Sequence, residues 1–347
     1  MNTLETFPLA RYRFEFQVGR PIRLPDYAGS MLRGAFGHAL RQLACMTRQK
    51  ECAGCPLAGT CPYPAIFAPL PPATHALQKF SQIPVPYVIE PPPWGAATLA
   101  SGDALAFHMV LIGRALRELP LIILAWRRAL ARGLGVGDGT AELLRVVHCA
   151  ADGSESEIHQ PGIGVIAQHA QKIDPGSAAD RDVTGLTLTF NTPLRLQQNG
   201  RALPPEKLDA RTLLTALVRR ASLLAEFHAD GPLLNDFSAL TAACADICDA
   251  KRLVWRDWTR YSSRQGQKMS LGGVVGTWAL EGNLSPFVHF LRLGEWLHVG
   301  KEAAFGMGGY TLAPRIPGHK PGAPEESRER RSQPIERKEG SSLPQSA

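Results

Sequence analysis

No stretch of the 347 residues reaches the roughly 18 consecutive apolar positions that a membrane-crossing helix requires. The longest candidate, Leu119–Trp126, runs straight into Arg127 and Arg128. The first residues, Met1–Arg13, lack the apolar centre of a secretory leader, so none is expected and the cytoplasm is the expected compartment. A phosphate-binding P-loop is missing, because no Gly-Lys-Ser/Thr stands before a helix. No helix-turn-helix or pair of zinc ribbons is recognisable, which counts against a zinc-dependent DNA-binding regulator. The charge is not gathered into one run either. It is nonetheless unbalanced: 38 Lys and Arg face 31 Asp and Glu, for a net +7 and a pI near 9.2. That balance favours nucleic acid, phosphate or anionic lipid as a partner. With 44% hydrophobic and 20% charged residues, wholesale disorder is excluded and a folded core is expected.

The length suits about two domains. Two shifts in composition divide the chain. The stretch 152–182 is rich in Gly, Asp, Ser and His and reads as a linker. The stretch 316–347 is polar, of mixed charge and almost without aliphatic residues, and reads as a disordered tail. The first half, 1–151, opens with the alternating run Tyr12–Val18, the period of a half-buried strand. Met31, Leu32, Ala35, Phe36, Ala39, Leu40 and Leu43 then recur at helical spacing over Gly29–Ala44. Residues 45–100 form a cysteine- and proline-rich insert, read as mostly irregular. A strand at Ala104–Ile112, a helix at Leu116–Ala131 and a strand at Glu142–Cys149 follow. The second half, 183–315, repeats the order. A strand at Leu186–Phe190 precedes a helix capped by Asp209 and running to His228. A strand at Gly272–Leu280, a helix near Pro286–Leu297 and a strand at Tyr310–Leu312 complete it. An α+β fold of two tandem ferredoxin-like (RRM-like, β-α-β-β-α-β) domains is expected.

Three groups of residues stand out. Four of the seven cysteines, Cys45, Cys52, Cys55 and Cys61, lie in the pattern C-x6-C-x2-C-x5-C. The two-residue gap lets two thiolates reach one ion, and the surrounding loop can wrap a tetrahedral site. A structural Zn²⁺ is the simpler occupant and an iron–sulfur cluster the alternative. A set of free thiols is the remaining reading. Cys149, Cys244 and Cys248 read as packing residues. Next, Gly34, Gly37, His38 and Arg41 lie opposite the apolar stripe of the first helix, with Arg33 at the flank. Helix-interior glycines cost about 1 kcal/mol each against alanine, so two on one face suggest close approach of a ligand such as a phosphodiester. An ordinary solvated face is the alternative. Third, Gly300–Tyr310 clusters Gly300, Gly306, Gly308 and Gly309 with Lys301. Its backbone N–H groups could converge on an anion, or simply form a tight turn between helix and strand. Upstream, Trp255, Trp258, Arg260, Tyr261, Ser262, Ser263 and Arg264 interleave aromatics with arginines, as looped or single-stranded RNA would require.

The stretches LPDYAGSMLRGAFGHALRQLAC (Leu24–Cys45), the cysteine cluster ending in CPY, YSSRQGQKMSLGGVVG and HVGKEAAFGMGGYTL together resemble the CRISPR-associated RAMP endoribonucleases that process precursor crRNA. The resemblance covers Tyr12 to Leu312. It implies tandem ferredoxin-like domains, CRISPR repeat RNA or crRNA as partner, and contact with other effector subunits as an option. It also implies metal-independent cleavage, in which the ribose 2′-OH attacks the adjacent phosphate and leaves 2′,3′-cyclic phosphate and 5′-OH ends. His38 matches the family's first-helix histidine, as general acid or base, and Tyr27 is a weaker match to its tyrosine. No lysine follows His38 in the helix, so Arg41 or Lys301 would stabilise charge. RNA contacts are expected from Arg33, Tyr261, Arg264, Gly300, Lys301, Gly306, Gly308 and Gly309. A non-catalytic subunit that only holds crRNA is the rival reading.

Overall fold

The computed structural model describes residues 6–72, 74, 82–175, 183–229, 231, 233, 236–262 and 267–315. The expected tail, 316–347, lies outside them, as does Arg264.

In the first half the elements are β1 (Leu9–Arg20), β2 (Ile22–Leu24), α1 (Gly29–Ala44), α2 (Pro62–Ile66), β3 (Tyr87–Glu90), β4 (Ala97–Leu99), β5 (Ala104–Ile112), α3 (Leu119–Arg132), β6 (Thr140–Cys149) and β7 (Glu155–His159). Five of the strands form one antiparallel sheet in the order β3-β5-β1-β6-β7. In the second half, β8 (Gly185–Leu194), the short β9 (Gln197–Gln198) and β10 (Arg201–Ala202), α4 (Ala210–His228), α5 (Phe237–Ala243), β11 (Cys248–Ser262), β12 (Gln267–Glu281), α6 (Val288–Leu297) and β13 (Tyr310–Pro314) follow. Its sheet runs β11-β12-β8-β13, again antiparallel. Each half therefore repeats strand, helix, two strands, helix, strand, with matching spatial order of the four main strands.

Several expectations are corrected. The insert contains β3, which pairs with β5, although prolines surround it. The stretch read as a linker contributes β7, an edge strand on β6. Trp255–Ser262 of the aromatic–arginine segment belong to β11, a strand the periodicity did not announce, paired with β12. Cys248 starts that strand and is exposed, so it is no packing residue.

The alternation along β1 explains how the halves join. Ala10, Tyr12, Phe14, Phe16 and Val18 point into a core with Phe36 of α1 and Trp126 of α3. Phe7, Leu9, Val88, Val110 and Ile112 instead join the second core, among Leu213, Leu217, Trp278 and Leu291. The first sheet is thus apolar on both faces at one end, and that end is covered by the other domain. Asp209 caps α4, its carboxylate accepting from Thr212 N–H at 2.7 Å.

Candidate functional site

Helix α1 buries Gly29, Leu32, Phe36, Gly37, Ala39 and Leu40 and leaves Gly34, His38 and Gln42 exposed along one line. Residues four apart share a helix face. The Gln42 amide nitrogen stands 2.7 Å from His38 Nε2. An amide N–H only donates, so Nε2 accepts and the ring proton sits on Nδ1. His38 is therefore presented to solvent with a lone pair held by one replaceable donor.

The two helix glycines differ. A methyl group at Gly34 would meet nothing within 4 Å, whereas one at Gly37 would stand 2.2 Å from the Phe67 ring. Gly37 is bare because Phe67 occupies the space, which corrects the expectation that both glycines face a ligand. The two arginines are also engaged. Arg33 lies with its guanidinium 4.5 Å from the centre of the Phe67 ring. Arg41 donates to the carbonyls of Gln49 and Lys50, the latter at 2.9 Å, and lies over Tyr63. It ties α1 to the cysteine loop, so the geometry does not place it on a reacting phosphate beside His38.

Tyr27 is 3% exposed, and its hydroxyl donates to the Phe305 carbonyl at 2.9 Å. Burial, with Glu90 nearby, pushes its phenol well above the ordinary range. It packs with Trp94, Trp258 and Phe305 in a small core shared with Leu271 and Met307. A catalytic role for Tyr27 is corrected to a structural one: the phenol is enclosed and already partnered. Trp258 is likewise core, whereas Trp255 is surface-exposed with its indole N–H on Asp257 at 2.8 Å. Tyr261 belongs to β11, paired with Lys268.

The glycine loop departs furthest from expectation. Gly306, Gly308 and Gly309 are buried. The Gly306 N–H donates to Ala303, Gly308 to Pro193 at 2.9 Å, and Gly309 to the Thr192 hydroxyl at 2.8 Å. Lys301 N–H donates to the Arg195 carbonyl. These donors are spent inside the fold, so Gly306, Gly308 and Gly309 do not form an open anion cradle. Gly306 adopts φ 96°, a left-handed conformation that glycine accepts freely, and its neighbours are Pro91 and the Ile89 carbonyl of the first half. The loop is a clasp between the halves. Gly29 completes it, since a methyl there would fall 2.0 Å from the Phe305 carbonyl oxygen. Gly300 and Lys301 stay at the outer edge, Lys301 exposed.

Beneath the clasp lies an ionic chain. His298 Nδ1 is 3.0 Å from the Gly306 carbonyl oxygen and its Nε2 is 3.2 Å from Glu90 Oε1. Glu90 pairs with Arg11 at 2.8 Å. Burial alone would raise the Glu90 carboxyl, but Arg11 and His298 outweigh it and hold it down at about 2.

All four of Cys45, Cys52, Cys55 and Cys61 line one cavity of about 20 Å³ at the end of α1. Cys55 N–H donates to the Cys52 carbonyl at 3.1 Å, with Gly54 at φ 77° making the turn. The Thr47 hydroxyl and the Leu57 N–H face Cys55 Sγ and draw its thiol below the usual range. Among the described residues, however, no three His, Cys, Asp or Glu side chains converge as metal ligands do. Loop and spacing fit a metal, while the thiols as they stand do not form a ligand set.

Sequence reasoning missed Gln42, readable four residues after His38. It also missed the Arg256–Trp94 pair, 5.1 Å from guanidinium to ring centre, which bridges β11 to a proline-rich loop and has no local signature. Among the described residues, no helix is long and apolar enough to cross a membrane.

Residues 188–310 match the family model of the CRISPR-associated endoribonuclease Cas6, and residues 7–171 match a family model described as an N-terminal domain. A solved Cas6 product complex superimposes with a TM-score of 0.51 at 18% identity, over 88% of this chain and 99% of that one. A chain of a partial Cas6-RT-Cas1–Cas2 complex superimposes with a TM-score of 0.54 at 11% identity, over 89% of this chain and 46% of that one. At such identities these likenesses concern the fold. No curated protein matches.

Proposed function

The chain belongs to the family of the CRISPR-associated endoribonuclease Cas6, and on that premise we propose that it cuts CRISPR repeat RNA by attack of a ribose 2′-OH on the adjacent phosphate. In this reading its halves are two ferredoxin-like units, joined at the clasp, and α1 presents the cutting surface. The observation that supports it is His38: an exposed imidazole with an available Nε2, beside the open Gly34 on a helix face free of packing.

His38 acts as general base. The 2′-OH takes the place of the Gln42 amide at Nε2 and gives up its proton there. A 2′-O–P bond forms, the P–O5′ bond breaks, and the 5′ oxygen leaves as 5′-OH with a proton taken from water. The products are a 2′,3′-cyclic phosphate and a 5′-OH end. Such proton transfer contributes typically 10²–10⁴-fold in rate. Gly34 lets the RNA backbone approach the helix beside His38. Gln42 is a positioning residue, because it acts through the imidazole.

The test is cleavage of labelled repeat RNA by the purified protein in EDTA, with product ends mapped, alongside RNA carrying a 2′-deoxy nucleotide at the cut. A single cut with cyclic-phosphate ends, lost on the deoxy RNA, is expected. Tight binding without any cut would instead assign the protein as a crRNA-holding subunit.

A further inference from the structure

The motif Cys61-Pro62-Tyr63 opens α2, with Pro62 in the first turn. Proline suits that place, because its missing N–H would have no partner in any helix. Tyr63 and Phe67, one turn apart, present stacked rings with centroids 5.5 Å apart and planes 24° apart. Facing them on α1 stand Arg33, Gly37 and Arg41, also at steps of one turn. The Arg33 guanidinium lies 4.5 Å from the centre of the Phe67 ring, and that of Arg41 lies 5.6 Å from the centre of the Tyr63 ring. Both distances suit a cation over an aromatic face. Between the two arginines, Gly37 receives the tip of the Phe67 ring: an added methyl would fall 2.2 Å from Cζ. Arg33 pairs with the later ring and Arg41 with the earlier, so the two segments run antiparallel. Phe36 and Tyr87 hold Phe67 from behind, at 6.3 and 6.4 Å between ring centres. At the far end Arg41 donates to the Gln49 and Lys50 carbonyls, and Cys61 Sγ stands 3.7 Å from the Ala44 carbonyl oxygen.

The place of this seam on the helix matters. Leu32, Phe36, Ala39 and Leu40 grip α1 from the side away from His38. A helix gripped on one side alone can roll about its axis. The Arg33-Gly37-Arg41 row runs along the flank, between that core side and the exposed line of Gly34, His38 and Gln42. A contact there opposes the roll, and Gly37 is the residue next to His38. With side chains reaching about 5–6 Å from the axis, a roll of roughly 10° carries the imidazole about 1 Å. A displacement of about 1 Å can cost about 10²-fold in rate.

We propose that Tyr63 and Phe67 are positioning residues for RNA cleavage: with Arg33, Gly37 and Arg41 they form a brace that stops α1 rolling and keeps His38 Nε2 where the 2′-OH arrives. The inference rests on the cutting reading above. It gives the insert between Cys45 and Phe67 a part in the reaction rate, exerted through α1, and it gives Arg33 and Arg41 a task other than phosphate binding.

The experiment uses the full chain and labelled repeat RNA. It measures the single-turnover cleavage rate at saturating protein and Kd in parallel, below the melting transition of every variant. Phe67→Leu should cut about tenfold or more slowly with Kd within about twofold of wild type. Gly37→Ala alone should also be slow. Combined with Phe67→Leu it should recover much of the lost rate, because the added methyl takes the space the ring tip has left, and the two changes are therefore not additive. At the other end of the seam, Tyr63→Leu should be slow and Tyr63→Phe, which keeps the ring, should match wild type. This pair carries the test should Phe67→Leu fail to fold. The ring ¹⁵N resonances of His38, assigned by their loss in His38→Ala, should move in Phe67→Leu and return in the double variant. A wild-type rate and unmoved His38 resonances in Phe67→Leu and Tyr63→Leu, with wild type cutting RNA, would overturn the brace and leave the cutting reading intact. A slow Phe67→Leu that Gly37→Ala only slows further, with the His38 resonances unmoved, would make the seam packing alone and overturn the brace too. Failure of the wild type to cut repeat RNA at all would remove the underlying reading, and the positioning role with it.

Discussion

Tyr27 and Phe305 are 278 residues apart in the chain and are joined by a 2.9 Å hydrogen bond from phenol to carbonyl. The bond lies in the small core where the first half's loop, β11 and the glycine-rich turn meet. Removing a buried hydrogen bond while keeping the ring costs about 1 kcal/mol, more when the acceptor is stranded. Tyr27→Phe should lower unfolding stability by about 1–2 kcal/mol in denaturant titration and leave the cleavage step at saturating RNA near wild type. A large loss of cleavage in a fully stable Tyr27→Phe would return Tyr27 to the chemistry.

The two glycines of α1 make opposite predictions. Gly34→Ala meets open space, so it should gain up to about 1 kcal/mol from helix propensity. The same methyl should weaken repeat-RNA binding if the backbone there is approached closely. Gly37→Ala drives a methyl into Phe67 and should destabilise by about 1–3 kcal/mol. Thermal melts with a binding titration read both; equal effects at the two positions would contradict the assignment.

Glu90 gives the clasp a pH dependence. Its folded pKa, about 2, lies below the ordinary carboxyl value of 4.5. A depressed carboxyl contributes stability that is fully present above the unfolded pKa and is lost as pH falls through the folded one. The contribution is on the order of 3 kcal/mol by the usual 1.36 kcal/mol per unit. Wild type should therefore lose its advantage over Glu90→Gln between about pH 4.5 and pH 2. A stability difference that stays constant over that window would contradict the Glu90–Arg11–His298 arrangement.

The cysteine loop is decided by composition. Four thiols around one small cavity support a structural ion, while their present spread counts against it. We expect about one zinc per chain by elemental analysis, lost together with loop order in Cys52→Ser. Metal-free protein with all four thiols freely titratable would leave the cluster as ordinary cysteines.

Much of this was legible in the sequence because it was written in local periodicity. Helix α1 begins and ends where the spacing of Leu32, Phe36, Ala39 and Leu40 places it. Asp209 caps α4 as its position before the apolar run implies. Strand β3 was hidden because Pro84, Pro86 and Pro91 flank it, and pairing with β5 overrides that composition. Strand β7 is mostly exposed and carries no hydrophobic alternation. The glycine loop failed for a different reason. Its N–H groups are taken by Thr192 and Pro193, and its space by Pro91 and Tyr27, all contacts between residues far apart in the chain. Phe67 filling the gap at Gly37 is hidden in the same way. His38 and Gln42 stand on the exposed face where helical spacing puts them, and the catalytic reading of His38 comes from the family resemblance.

The most direct measurement is the single-turnover rate of His38→Ala on repeat RNA at saturating protein, with Kd measured in parallel and Gln42→Ala beside it. The account predicts a fall of about 10²-fold or more in the cleavage rate with Kd within about twofold of wild type, and a smaller fall for Gln42→Ala. Cleavage by His38→Ala at the wild-type rate, with the same product ends, would remove His38 from the reaction and the helix face from the active site.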